Sequence, residues 1–155
     1  MEEIFIKILC AAILTCVGSL WIEKLYLNCS ELTFSEEIYT RGRFRKPILF
    51  ISLLSFILID DLWLMAAIFL LVLMTVTDFE QYMLFDAMTF PFALLGAVFS
   101  YQNSLLQENL LAAAVGGGIF LLLAIITKGA LGGGDVKLIF GIGMWIGAEK
   151  LLNVV

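Results

Sequence analysis

The sequence predicts an all-α, polytopic membrane protein with about six transmembrane helices and its N-terminus outside. Three observations predict it. Of its 155 residues 62% are hydrophobic and only 15% charged, and the mean hydropathy of +1.04 lies beyond that of ordinary soluble domains. The apolar residues fall in six runs, at about 4–22, 47–59, 62–77, 87–101, 109–127 and 138–155, parted by charges, glycines or polar patches. Finally, Lys24, Arg41, Arg43, Arg45 and Lys46 crowd the first loop, while Lys128 and Lys137 flank the last two runs; six spans put all of these in the cytoplasm. The expected organisation is one multi-pass domain over 1–155 in the cell (inner, cytoplasmic) membrane, with the lipid bilayer as its surroundings.

The first run opens MEEIFIK, with two glutamates where a signal peptide has a basic leader, and no A-x-A site follows, so it is expected to be a retained span. The segment 23–46, ending in RGRFRK, reads as a cytoplasmic loop with room for a short interfacial helix and a headgroup anchor. The second run, PILFISLLSFILI, is the shortest, well under the ~20 residues of a usual span. Asp60 and Asp61 form a turn before the third run, which ends at Asp78; Glu80 beyond it reads as a solvated loop charge. Pro91 is placed in the first turn of the fourth span, where its missing N–H is harmless. Ala112, Ala113, Ala114, Gly116, Gly117 and Gly118 give the fifth span a small-residue face for close helix packing.

Composition excludes several functions. With a net charge of −5 and no basic face, nucleic acid is not an expected partner. There is no histidine, and Cys10, Cys16 and Cys29 form no CxxC pair, so no Cys/His metal site is expected. The oligomeric state is left open.

Acidic residues at the end of an apolar helix are costly to desolvate and therefore candidates for function. Asp78 closes the third run in TDFEQYMLFD and Asp135 opens the sixth in GGGDVK, with two crossings between them. An even number of crossings returns both to one face. Two carboxylates brought close at a partly dry site share a proton, so one can take a proton from water while the other polarises a peptide carbonyl. Such a pair hydrolyses a peptide bond without metal or other cofactor. Gly132, Gly133 and Gly134, lacking Cβ atoms, are expected to permit strained dihedrals and a close approach to substrate. Lys137 is placed to support Asp135 or to snorkel, and Asp86 either binds substrate or caps the fourth helix. Asp86 would lie about 12 Å beyond Asp78 if the segment between them were helical.

These residues resemble the motifs of the type IV prepilin peptidases, membrane aspartyl proteases of the GxGD type. The run D-FEQYMLF-D-AM-T-F-P matches the first family motif at Asp78, Asp86, Thr89 and Pro91, and GxGDxK is matched in full by Gly132, Gly134, Asp135 and Lys137. The resemblance covers about 47–150, which it marks as the peptidase core. It implies an endopeptidase that removes the basic leader of type IV prepilin or pseudopilin precursors at the cytoplasmic membrane face, with Asp78 and Asp135 as the catalytic pair. Phe85 stands where the family commonly has proline, and the first loop lacks the two CxxC pairs of larger members. That loss weakens the family's second activity, methylation of the new N-terminus from S-adenosylmethionine, and offers nothing for zinc. Family members usually continue into a further helix, whereas this chain stops at Asn153-Val154-Val155.

Two other functions compete with proteolysis. A non-enzymatic membrane subunit of a pilus or secretion assembly would tolerate substitution of the aspartates. A proton-coupled transporter would place its acids nearer the middle of spans, whereas these stand at the ends.

Overall fold

A computed structural model describes residues 2–33, 42–128 and 131–151, with the side chains of 148–150 left aside. Residues 34–41, which hold Arg41 and part of the loop 23–46 expected to have room for an interfacial helix, and the terminal Asn153-Val154-Val155 lie outside the described residues. Among the described residues there are six α-helices, two 3-10 segments and no strand. The helices are α1 (Glu2–Asn28), α2 (Arg45–Leu53), α3 (Leu62–Gln81), α4 (Asp86–Gln102), α5 (Leu106–Ile126) and α6 (Gly133–Leu151). They form two compact units, Met1–Met83 and Leu84–Val155, whose boundary falls inside the expected core.

Each apolar run of the sequence has become a helix, usually a longer one. Three of them, α1, α3 and α5, are long and apolar enough to cross a membrane. At 27, 20 and 21 residues they measure about 40, 30 and 32 Å, matching or exceeding a hydrocarbon core of ~30 Å. Many of their apolar side chains point outward, as Phe5, Leu20, Leu111 and Ile126 do, which suits lipid and not water. This is a membrane protein. The second run behaves differently: α2 covers nine residues and continues as a 3-10 segment, Leu54–Leu58. Ser55 Oγ donates to the Ser52 carbonyl at 2.8 Å, a local bond that competes with the α-helical ladder where the backbone tightens. The two pieces rise about 24 Å together, short of the ~30 Å core.

In the first unit, α1 packs against α2, the following 3-10 segment and α3. Ala11, Leu53 and Phe56 form a core with Leu14, Phe50, Met65 and Phe69 around it. The turn before α3 forms as expected: Asp61 Oδ1 caps the helix by accepting from Trp63 N at 2.8 Å. Asp60 is drawn into an ion pair with Lys7 at 2.5 Å.

In the second unit α6 packs against both α4 and α5. Ala112, Ala113, Gly116 and Gly117 are buried, as the small-residue face requires. The closest approach lies at Gly143 of α6, where a Cβ would stand 2.6 Å from Ala113 Cα and 2.7 Å from Ala113 N. No backbone shift short of parting the helices admits a side chain there. Gly118 meets nothing within 4 Å and plays no such part. Pro91 is a correction. Helix α4 begins at Asp86, so Pro91 lies inside the helix, beyond its first turn, and its ring nitrogen leaves the Ala87 carbonyl without the usual partner.

Gly143→Ala should destabilise the protein by about 1–3 kcal/mol through overpacking, while Gly118→Ala should stay within about 0.5 kcal/mol. Thermal unfolding in detergent compares the two.

Candidate active site

Asp78 sits in the last turn of α3, exposed at the surface of the first unit. Its carbonyl accepts from Tyr82 N at 2.7 Å, and Tyr82 ends the helix in a left-handed conformation (φ 51°, ψ 38°). A tyrosine there is uncommon, because its Cβ crowds the backbone in a conformation that suits glycine.

Two residues on, Glu80 overturns its reading as a solvated charge: it is 2% exposed. The buried face of α3 runs Leu70, Leu73, Met74, Thr77, Glu80 and Gln81, a three- and four-residue spacing that carries the carboxylate straight into the packed side. There it meets Arg45, 4% exposed at the start of α2. The guanidinium donates through Nε to both carboxylate oxygens (2.8 and 3.1 Å) and through a terminal nitrogen to Oε2 (2.7 Å). Tyr26 Oη of α1 donates to the same Oε2 at 2.8 Å, and Arg45 stands 5.2 Å above the tyrosine ring. Glu23 adds a longer contact to Arg45 at 3.5 Å. Arg45 is therefore an interior cation and not part of a headgroup anchor; in the same RGRFRK run Arg43 and Lys46 are exposed.

The other predicted residues lie in the second unit. Phe85, extended at φ −83° and ψ 133°, precedes α4, and its carbonyl accepts from Met88 N (2.9 Å) and Thr89 N (3.1 Å). Its φ is close to the value that proline fixes, so phenylalanine in the family's proline position starts the helix without distortion. Asp86 is the first residue of α4. Because α3 ends at Gln81 and α4 starts at Asp86, the stretch between Asp78 and Asp86 is not one helix, and the helical spacing of the two does not apply.

Asp135 lies in the first turn of α6, half-buried, with its N–H donated to the Gly132 carbonyl at 3.1 Å. The helix N-terminus favours an anion at that place. The glycines depart from expectation. None of Gly132, Gly133 and Gly134 has a positive φ; the one described glycine that does is Gly147. Gly133 and Gly134 already belong to the first turn of α6. Their use is space. A Cβ on Gly134 would stand 2.8 Å from Leu84 Cβ, and one on Gly132 would stand 3.3 Å from Asp135 Oδ2, whereas Gly133 is open. Lys137 turns to Asp86, pairing at 2.6 Å between side chains 54% and 71% exposed. This pair stands at the lip of a groove of about 770 Å³ whose walls include Phe90, Leu94, Gly118, Leu121 and Phe140.

A family model decides the relationship: that of the type IV leader peptidase family matches residues 64–155, well over half the chain. The chain belongs to the type IV leader peptidase family. Searches of curated proteins and of solved structures found no match. Leader peptidase membership makes proteolysis of precursor proteins the activity of this family's fold, and the apolar helices put it at a membrane. The family match spans α3 to α6, and so includes Asp78, Asp86, Asp135 and Lys137; Tyr26 and Arg45 precede it.

A second polar cluster escaped the sequence reading. At Gly147 (φ 73°, ψ 179°) α6 leaves helical geometry, and carbonyls of the preceding turn need other donors. Ser100 Oγ and Asn109 Nδ2 both donate to the Met144 carbonyl (2.5 and 3.1 Å), and Asn109 also donates to Ser100 Oγ at 2.7 Å. The signal was two polar residues within or beside otherwise apolar runs.

Exposed ion pairs contribute about 0–1 kcal/mol. Lys137→Met should therefore leave the unfolding midpoint nearly unchanged, so a loss of function in that variant reports on chemistry or substrate and not on folding.

Proposed function

We propose that this chain is an aspartyl endopeptidase that removes the leader of type IV prepilin or pseudopilin precursors at the cytoplasmic face of the cell membrane. The observation that carries the reading is that the leader peptidase match contains, in one stretch, both acidic motifs, Asp78 through Asp86 and Gly132 through Lys137. Asp78 and Asp135 are the two carboxylates that share a proton. The ionised one takes a proton from water, and the oxygen attacks the scissile carbonyl. The protonated one donates to the developing oxyanion, and collapse of the tetrahedral intermediate expels the leaving amine, which takes up a proton.

The surroundings support this chemistry in different ways. Asp78 is exposed at a helix end, as a group that must meet an extended peptide should be, and Asp135 is half-buried in the first turn of α6. Gly134 lets that turn lie against Leu84. The exposed Asp86–Lys137 pair offers both signs of charge to an incoming chain without a large cost to separate it. Proteolysis in this scheme needs no cofactor; S-adenosylmethionine would be required only for methylation of the product.

Co-expression with a leader-bearing precursor should give the shortened product. In Asp78→Asn and in Asp135→Asn processing should fall by at least about 10³-fold, as expected when an essential acid–base group is removed, with both variants still accumulating in the membrane. Product formation that survives either change at near wild-type rate would refute the assignment.

A further inference from the structure

We propose that the buried Tyr26–Arg45–Glu80 cluster is a positioning device for Asp78, an inference that rests on the catalytic role of Asp78. Glu80 and Asp78 share the last turn of α3, two residues apart, which at about 100° per residue places their side chains on nearly opposite sides of the helix. Whatever fixes the direction of Glu80 therefore fixes the direction of Asp78. Glu80 is fixed from two other segments: Tyr26 near the end of α1 and Arg45 at the start of α2, through four hydrogen bonds of 2.7 to 3.1 Å. A two-pronged guanidinium contact restrains angle as well as distance.

The turn needs such restraint. Helix ends fray, and this one closes on Tyr82 in a left-handed conformation that glycine would adopt more readily. The bond from Tyr82 N to the Asp78 carbonyl holds the backbone only. The cluster supplies the side-chain hold, and with Arg45 4% and Glu80 2% exposed neither residue can reach a substrate itself. Its loss should thus act on turnover and not on substrate binding.

The test uses the full chain in detergent with a purified leader-bearing precursor, measuring kcat and KM separately. Tyr26→Phe removes the hydroxyl that donates to Glu80 and leaves the ring; kcat should fall roughly 10-fold or more, the range expected for a misaligned reacting group, with KM within about two-fold. The double variant Arg45→Met/Glu80→Leu removes the charges together, which keeps the interior packed without an unpaired ion. It should unfold at or above the wild-type temperature and still lose kcat roughly 10- to 100-fold. Full kcat in either folded variant, or a loss carried by KM alone, overturns the proposal. Asp78→Asn is measured alongside. If it remains active, the catalytic reading of Asp78 falls and this proposal with it; if it is inactive while Tyr26→Phe and the double variant keep full kcat, only the positioning role falls.

Discussion

A carboxylate at 2% exposure is the constraint around which the first unit is organised. Taking a charge of that size out of water costs several kcal/mol even after the protein relaxes, and a chain with so few charges has little with which to offset it. Glu80 receives the planar fork of Arg45 and the hydroxyl of Tyr26 together, so three segments distant in sequence converge on one pair of oxygens. Such a pair adds little net stability over apolar replacements. What it provides is direction, since the donors meet the carboxylate at fixed angles, and the last turn of α3 inherits that direction down to Asp78.

The second unit obeys the same rule at the level of the backbone. Its helices approach so closely that Gly143 stands against the main chain of Ala113, and Trp145 stacks on Phe92 and Phe99 with centroids 5.8 and 5.2 Å away. Where α6 departs from helical geometry at Gly147, a freed carbonyl at buried Met144 has no water to turn to. Ser100 and Asn109 supply donors to Met144 instead. In both units the polar residues inside apolar helices are placed where a specific charge or carbonyl must be answered.

Much of this was legible in the sequence. Hydrophobic runs set the number of helices, because a chain this apolar has few alternatives, and Asp78 and Asp135 stood out as acids at the ends of such runs. Glu80 did not, because a charge following an aspartate past an apolar run looks like loop; its helical spacing from Leu73, Met74 and Thr77 was the overlooked sign. Arg45 was hidden by its neighbours, one interior cation in a run whose composition suggests a surface. The role of the glycines was half visible: space was needed, but at Gly134 it is Leu84 that takes it, and unusual dihedrals were not required. The partner of Lys137 depended on where α4 begins, which periodicity alone does not fix.

The proposed chemistry requires Asp78 and Asp135 to act as one pair. Replacing Cys10, Cys16 and Cys29 by serine and introducing Asp78→Cys with Asp135→Cys allows that proximity to be read in native membranes with a short bifunctional thiol reagent. A linked peptide is expected in the mass spectrum of the digested protein, and none when the first cysteine is moved to position 61, in the turn before α3. Failure to link 78 with 135, while each single cysteine reacts with the reagent, would contradict it.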